Sequence, residues 1–189
     1  MENKKVLAVV GLPGAGKTEV VQYLEQKGYK KVYFGEATFD EMKRQGLQIN
    51  EENERKTREN LREKYGMAAF AVLALPKIKK ILETENFVIL ESLYSWEEYL
   101  MIKKEFGDNF YVLAIYAPPN TRYQRLAVRP HRPLTIEQAK SRDYAQIEHV
   151  NIAPPITMAD FSISNVKTKE ELFKDVDEVL GLLKCEFIL

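Results

Sequence analysis

The fold class follows from one glycine-rich stretch of the chain, Gly11-Leu12-Pro13-Gly14-Ala15-Gly16-Lys17-Thr18. An apolar run, Val6–Val10, precedes it, and an amphipathic stretch, Glu19–Lys27, follows it and ends before Gly28. The pattern G-x-x-x-x-G-K-[ST] between a strand and a helix is the P-loop, which surrounds phosphates with backbone N–H groups and the first helical turn. Glycines are needed because side chains would keep the backbone away from the phosphates. The sequence therefore predicts a site for a nucleoside triphosphate.

The P-loop also predicts which residues contact the nucleotide. Lys17 places a mobile positive charge near the outer phosphates, and Thr18 offers its hydroxyl to a magnesium ion. The sequence has no Asn-Lys-x-Asp run, which is typical of proteins that read guanine. We therefore expect Mg²⁺ and ATP to bind here, with these residues around the phosphates: Gly11, Pro13, Gly14, Ala15, Gly16, Lys17 and Thr18.

Five strand-like runs alternate with longer helical stretches along the chain: Val6–Val10, Lys31–Phe34, Phe87–Leu90, Phe110–Ala117 and Asp160–Ser164. Several are apolar throughout, which is typical of parallel strands covered on both faces. The helical stretches between them are long enough for the crossovers that parallel pairing needs. The sequence therefore predicts a three-layer α/β fold, with helices on both faces of a parallel sheet, as a single domain over residues 1–189.

Composition and charge exclude several classes of protein. Hydrophobic residues make up 45% and charged residues 30%, and the 28 basic residues balance the 28 acidic ones. A protein that coats nucleic acid would be basic over the whole domain, so nucleic acid is an unlikely partner. The longest apolar run, Met67–Leu75, is shorter than the ~20 residues of a membrane span, and the N-terminus does not have the pattern of a signal peptide. The lone cysteine, Cys185, favours a reducing cytoplasm.

Two helical stretches differ sharply in polarity. Asn50 is placed to cap Glu51–Tyr65, which is polar on all sides, and we expect that helix to be peripheral and to move. Met67–Leu75 is apolar on every side and is predicted to be a core helix that Pro76 bends or breaks. Three pairs at i,i+4 spacing are expected to support the polar helix: Glu51–Arg55, Glu52–Lys56 and Glu54–Arg58.

A cluster of arginines lies in the second half of the chain: Arg122, Arg125, Arg129, Arg132 and Arg142. The first three share one helix face, and the prolines at 130 and 133 then break the helix. Helices whose arginines point inward would form a lid at about residues 129–146 that closes over phosphates. On this hypothesis Arg125 contacts the nucleotide, while Arg129 and Arg142 offset charge on the moving phosphoryl group. The alternative is a solvated basic helix face.

Polar residues also follow three of the predicted strands. Glu91 ends the third strand at the edge where open α/β sheets bind ligands, and it is a candidate magnesium ligand. Glu36 follows the second strand and is predicted to orient an attacking hydroxyl or to accept its proton. The alternative for each is a carboxylate in water. Asn165 follows the last strand and is expected either to meet the adenine ring or to cap the next helix.

Together these motifs resemble the nucleoside-monophosphate-kinase superfamily. The resemblance rests on the P-loop, the R-x-x-R-x-x-x-R entry to the basic segment, and the run Ala159–Asn165. The stretches 129–146 and 159–165 are similar to the lid and tail of dephospho-CoA kinases, and the chain looks closest to archaeal adenylate-kinase-related proteins. The resemblance implies a sheet order of 2-3-1-4-5, a lid, an acceptor-binding helical region at about residues 36–66, and ATP with magnesium as the phosphoryl donor.

The acceptor half departs from the pattern of that superfamily. The superfamily usually shows Gly-Asp after the second strand and an arginine three residues later, whereas this chain has Gly35-Glu36 and Phe39. After the third strand it usually shows Asp-Gly and a nearby arginine, whereas this chain has Glu91-Ser92 and Tyr94. Two arginines that would hold an acceptor phosphate are thus absent. Three arginines of the polar helix are candidates to replace them: Arg55, Arg58 and Arg62.

Three functions are compatible with these observations. The first is a kinase that transfers the γ-phosphoryl group of ATP to a small nucleotide-like acceptor, of the nucleoside-monophosphate or dephospho-CoA type. The second is a nucleotide sensor of the same fold with weak or no catalysis. The third is an NTPase that acts on RNA or a protein, for which zero net charge is unfavourable. We expect a monomer or a homodimer.

Overall fold

Five parallel strands form the sheet of this protein, whose computed structural model describes residues 4–130 and 132–184. In chain order they are β1 (Lys5–Val10), β2 (Lys30–Tyr33), β3 (Phe87–Glu91), β4 (Phe110–Tyr116) and β5 (Phe161–Ser164). Across the sheet the order is β2-β3-β1-β4-β5. The predicted α/β fold, with its parallel sheet of order 2-3-1-4-5, is therefore confirmed.

The helices connect these strands as crossovers, except for the last one, which follows β5. They are α1 (Lys17–Gln26), α2 (Glu36–Arg44), α3 (Glu51–Tyr65), α4 (Ala69–Thr84), α5 (Trp96–Phe106), α6 (Pro119–Val128), α7 (Ile136–Glu148), α8 (Ala153–Thr157) and α9 (Lys169–Lys184). A 3-10 turn, Gly107–Asn109, leads into β4. In the ranges 4–130 and 132–184, no helix has the length and apolar character needed to cross a membrane. Cys185, on which the expectation of a reducing compartment depends, lies outside the described residues.

Both faces of the sheet are covered because successive residues of a strand point to opposite sides. In β1, Val6, Ala8 and Val10 pack on the side of α4 and α5. Leu7 and Val9 of the same strand pack on the side of α1 and α9. This alternation explains why the strand is apolar throughout, and it confirms the three-layer arrangement.

The strand register brings the functional segments to one edge of the sheet. Val9 and Tyr33 both lie opposite Glu91, so β1, β2 and β3 end at the same level. The chain leaves β1 directly into the P-loop and leaves β2 into Gly35. Since ligands of open α/β sheets bind at the carboxyl ends of the strands, this edge is where a site is expected.

The structure bears on two expectations about the helices. Pro76 lies inside α4 and does not break it, because burial of Ala74 and Ile78 on either side offsets the one hydrogen bond that proline removes. Helix α3 is not peripheral on all sides, since it buries Glu54 and Leu61. Its predicted cap is confirmed, because the Asn50 Oδ1 accepts a hydrogen bond from the backbone N–H three residues later, at 2.9 Å.

The start of α5 contains a buried carboxylate. The Glu98 Oε2 accepts hydrogen bonds from the backbone N–H groups of Tyr94, at 2.8 Å, and Ser95, at 3.0 Å. Ser95 completes a capping box, because its Oγ accepts from the Glu98 N–H at 3.1 Å. Burial raises the pKa of Glu98 from 4.5 to about 7, although the two backbone hydrogen bonds act in the opposite direction.

We expect Glu98 to make the protein less stable as the pH rises from 5 to 8. The pKa of Glu98 is higher in the folded protein than in the unfolded chain, so the folded protein holds an extra proton between about pH 4.5 and 7. The free energy of unfolding therefore falls as the pH rises through this range, and the decrease is complete above about pH 7. Glu98→Gln keeps an oxygen for the two N–H groups but does not titrate. Relative to wild type, the variant should gain on the order of 2–3 kcal/mol in unfolding free energy between pH 5 and pH 8, measured by urea denaturation. Exposed Glu83→Gln is the control, and parallel pH profiles for Glu98→Gln and wild type would contradict this expectation.

Candidate active site

The P-loop links β1 to α1, and its glycines lie close to neighbouring segments. Gly14 has φ +80°, and a Cβ there would lie 2.6 Å from the carbonyl oxygen of Arg122. Gly16 has φ +105°, and a Cβ there would overlap the amide of Asn165. Any other residue would clash with these neighbours and strain the turn. Helix α1 therefore begins at a glycine with no side-chain cap, which leaves its first N–H groups free for an anion.

Asn165 connects the P-loop to the end of β5. Its Nδ2 donates a hydrogen bond to the backbone carbonyl of Ala15 at 2.8 Å. The backbone carbonyl of Asn165 accepts a hydrogen bond from Arg125 Nη2 at 3.0 Å. The cap of α9 comes instead from Thr168, whose Oγ1 accepts the N–H of Glu171 at 3.2 Å. The alternative in which Asn165 caps the next helix is therefore wrong. Asn165 lies beside the P-loop, and its contact with adenine stays a prediction.

Arg122 is buried behind the P-loop and lines neither of the two cavities described below. It forms a bidentate pair with Asp143, at 2.9 and 2.6 Å, and the two side chains are only 3% and 4% exposed. Its remaining donors reach the carbonyls of Ala117, at 3.1 Å, and Pro13, at 3.0 Å. The expectation that all the clustered arginines face phosphates is thus wrong for Arg122. Sequence reasoning missed Asp143, because no periodic pattern links it to Arg122.

Lys17 folds back onto the P-loop. Its Nζ donates hydrogen bonds to the carbonyls of Gly11, at 2.7 Å, and Leu12, at 3.1 Å. Burial, followed by the positive charges of Arg142 and Arg122, lowers the pKa of Lys17 to about 8. A polyanionic ligand such as a triphosphate would raise the pKa of Lys17 again and favour its charged form.

A cavity of about 430 Å³ opens directly over the P-loop, and we call it the P-loop cavity. Its walls include the P-loop itself together with Lys17, Thr18, Arg125, Arg129 and Asn165. The Nη1 of Arg125 is buried there without a hydrogen-bond partner. The glycine-rich backbone and these cations fit the phosphates of ATP, because backbone N–H groups and positive side chains are the groups that bind such anions.

The residues predicted to hold magnesium are only partly suited to it. Thr18 lines the P-loop cavity at the start of α1 and could offer its hydroxyl. Glu91 is not among the residues lining that cavity, and its carboxylate pairs with Lys31 at 3.1 Å. Within residues 4–130 and 132–184, no group of three His, Cys, Asp or Glu residues could hold a metal by itself. A magnesium ion would therefore depend on nucleotide phosphates, as it often does.

A larger cavity of about 680 Å³ lies beside the first, and we call it the distal cavity. Its walls come from α2, α3, α4 and α7, from the ends of β2 and β3, and from the segment that follows α6. The lining includes five arginines, two glutamates and four aromatic residues: Arg58, Arg62, Arg129, Arg132, Arg142, Glu51, Glu54, Tyr33, Phe39, Phe70 and Tyr94. Two of the three candidate replacement arginines, Arg58 and Arg62, are therefore present, while Arg55 is not among the lining residues.

Arg129 is part of the lining of both cavities, and we call its position the junction. Arg129 ends α6 and donates from its Nε to the carbonyl of Arg132 at 2.7 Å. Arg142 lines the distal cavity and is close enough to Lys17 to lower its pKa. The structure thus brings Lys17, Arg129 and Arg142 around one junction, although they are far apart in sequence.

Glu36 does not take the place predicted for it. It is the first residue of α2, is 44% exposed, and pairs with Lys77 of α4 outside both cavities. Its neighbours Gly35, Thr38 and Phe39 line the distal cavity instead. The first turn of α2 directs the Glu36 carboxylate towards α4, so a role in orienting the acceptor is not supported.

A different carboxylate, Glu54, lies in the distal cavity and was missed by sequence reasoning. It is buried on α3 and accepts hydrogen bonds from Arg132, at 2.8 Å, and Arg58, at 3.4 Å. The Arg132 guanidinium, followed by Arg58, lowers the pKa of Glu54. Of the predicted i,i+4 pairs, only Glu54–Arg58 forms, because Glu51 pairs with Arg58 and Arg132 instead. The predicted lid segment is thus joined to α3 by ion pairs.

Known proteins resemble this chain in sequence or in fold. The family profile described as "AAA domain" matches residues 7–148. A UPF0200 protein of Thermococcus onnurineus is 30% identical over 96% of this chain and 99% of its own length. A UPF0200/UPF0201 protein of Archaeoglobus fulgidus is 32% identical over 93% of this chain, which spans only 55% of that relative. Among solved structures, a shikimate kinase from Bacteroides thetaiotaomicron superposes with a TM-score of 0.60 at 15% identity, covering 95% of this chain and 98% of its own.

Proposed function

This chain belongs to the AAA domain family and to the UPF0200 proteins. From its P-loop and the two cavities that share Arg129, we propose that it is an ATP-dependent phosphotransferase. The P-loop cavity would hold ATP and the distal cavity a small acceptor. The finer part of the proposal is that the acceptor is nucleotide-like, of the nucleoside-monophosphate or dephospho-CoA type. The likeness to the shikimate kinase supports the fold alone and does not indicate the acceptor of this chain.

One observation carries the proposal: Arg129 lines both cavities. A protein that only bound ATP would need the P-loop cavity alone. A second cavity, of about 680 Å³ and sharing that arginine, would provide space for a second reactant. Phosphoryl transfer depends mainly on positioning and charge stabilisation, which cations at such a junction would supply.

The chemistry assigned to the junction is a single displacement. The acceptor oxygen forms a bond to the γ-phosphorus, the bond from that phosphorus to the bridging oxygen breaks, and ADP leaves with the electron pair. If the acceptor oxygen is a hydroxyl, its proton passes to water. Lys17, Arg129 and Arg142 would offset the negative charge on the transferring group. A bound magnesium ion would neutralise part of the phosphate charge, and Thr18 is the side chain placed to contact it.

The test is ATP turnover measured against a panel of acceptors. We expect one member of a set of nucleosides, nucleoside monophosphates and dephospho-CoA to stimulate ADP formation by the full chain. Lys17→Ala should reduce that turnover by about 10²–10³-fold, the usual loss when one donor to a developing charge is removed. The exposed Lys174→Ala is the matched control and should retain wild-type turnover. If no acceptor raises turnover above the Lys17→Ala background, the phosphotransferase proposal is wrong.

A further inference from the structure

The arginines of the distal cavity fall into two classes. Arg58 and Arg132 are paired with Glu51 and Glu54, at distances between 2.8 and 3.6 Å. The other three, Arg62, Arg129 and Arg142, have no carboxylate within ion-pairing distance among residues 4–130 and 132–184. Arg129 and Arg142 belong to the junction with the P-loop. Arg62 therefore remains as a cation of the distal cavity that neither the ion pairs nor the transfer chemistry accounts for.

Arg62 is held in place but its hydrogen bonding is incomplete. Its guanidinium lies over the ring of Phe70, with the central carbon 5.2 Å from the ring centre. Its Nε is buried and has no hydrogen-bond partner. Thr38 shows the same feature in the same cavity, because its hydroxyl has no partner although the residue is only 2% exposed. Unsatisfied buried polar groups are unfavourable, so a bound water, ion or ligand is expected to complete them.

We propose that Arg62 and Thr38 form an anion-binding subsite of the distal cavity, and that the acceptor carries a phosphate or carboxylate group bound there. This inference depends on the proposed function, because it assigns the distal cavity to the acceptor. A guanidinium N–H and a hydroxyl are donors that suit either anion. Tyr33, Phe39 and Phe70 line the same cavity and offer apolar surface to the body of such a molecule.

One further unsatisfied atom refines the ligand. The Gln146 Oε1, from α7, is buried in the distal cavity without a partner. It can only accept a hydrogen bond, whereas Arg62 can only donate. The acceptor should therefore have a donor, such as a hydroxyl or amino group, as well as its anionic group.

The experiment titrates two small anions into the full chain by calorimetry. The P-loop is first saturated with magnesium and a non-hydrolysable ATP analogue, so that its own phosphate site is occupied. Inorganic phosphate and acetate are then the probes, and one of them should bind to a single further site. Arg62→Met should weaken that binding at least ~10-fold and Thr38→Val about 5-fold, as expected for loss of hydrogen bonds to a charged group. Arg55→Met, on the same helix but outside the cavity lining, should leave it unchanged.

The outcomes separate this inference from the function on which it depends. Tighter phosphate than acetate binding indicates a phosphorylated acceptor, and the reverse indicates a carboxylate. Thr38→Val should weaken anion binding without lowering the melting temperature, because the hydroxyl it removes has no partner in the protein. Failure of the ATP analogue to bind would contradict the proposed function. Binding of the analogue with no further anion site, or with a site that Arg62→Met leaves intact, would overturn the subsite alone.

Discussion

Replacing Arg129 with methionine should lower ATP turnover by about 10³-fold or more while leaving the affinity for ATP within about 10-fold. Arg129 is the side chain shared by the two cavities, so its charge would act on the phosphoryl group as it passes from one to the other. Methionine keeps most of the side-chain volume but has no charge and no donor. Single-turnover measurements with the stimulating acceptor, together with calorimetric binding of an ATP analogue, separate the two effects.

Arg55→Met provides the matched control for Arg129→Met. Arg55 is exposed on α3, lines neither cavity and forms an ion pair with Glu59 at 4.0 Å, so its loss should leave turnover unchanged. A variant that loses ATP binding and turnover equally would show that Arg129 holds the donor and does not act on the transfer. Turnover equal to wild type would show that the junction of the cavities is not the place of reaction.

The largest effect on stability is expected at the buried pair below the P-loop. Arg122→Met should lower the free energy of unfolding by about 3–5 kcal/mol, because it leaves the Asp143 carboxylate buried without its partner. It also removes the donor to the carbonyl of Pro13, so the P-loop should lose order and bind nucleotide more weakly. Urea denaturation at pH 7 measures the first effect, and calorimetry with an ATP analogue measures the second.

A double variant distinguishes loss of a partner from loss of packing. Arg122→Met combined with Asp143→Leu removes both charges, and it should recover much of the stability lost in the single variant. Lys174→Met breaks the exposed Lys174–Glu178 pair and should change stability far less. If Arg122→Met were as stable as Lys174→Met, the buried pair would not be the support that its geometry indicates.

The features that the sequence predicted correctly are local or periodic. The P-loop occupies eight consecutive residues, and the apolar strands are recognisable from short runs such as Phe87–Leu90. Because parallel strands meet at one edge, the positions of the P-loop and Glu91 relative to each other follow from the fold alone. The Asn50 cap was predictable for the same reason, since it acts within one helical turn.

The features that the sequence could not predict depend on contacts between distant residues. Arg122 and Asp143 are 21 positions apart, and Arg132 and Glu54 are 78 apart. Nothing in the local pattern distinguishes Arg122, which is buried below the P-loop, from Arg129, which faces the cavities. Glu36 was misplaced for a similar reason, because its partner Lys77 lies on a helix 41 residues away. The charge pattern predicted that this arginine cluster contributes to a ligand site, but only the packing shows which of the arginines line the cavities.

The central claim is that the backbone of residues 11–18 binds the phosphates of ATP. Isothermal titration calorimetry of the purified chain with magnesium and a non-hydrolysable ATP analogue tests it most directly. The account predicts saturable binding to one site, strongly weakened by Lys17→Ala. No heat of binding with the analogue, with ATP itself or with GTP would contradict it.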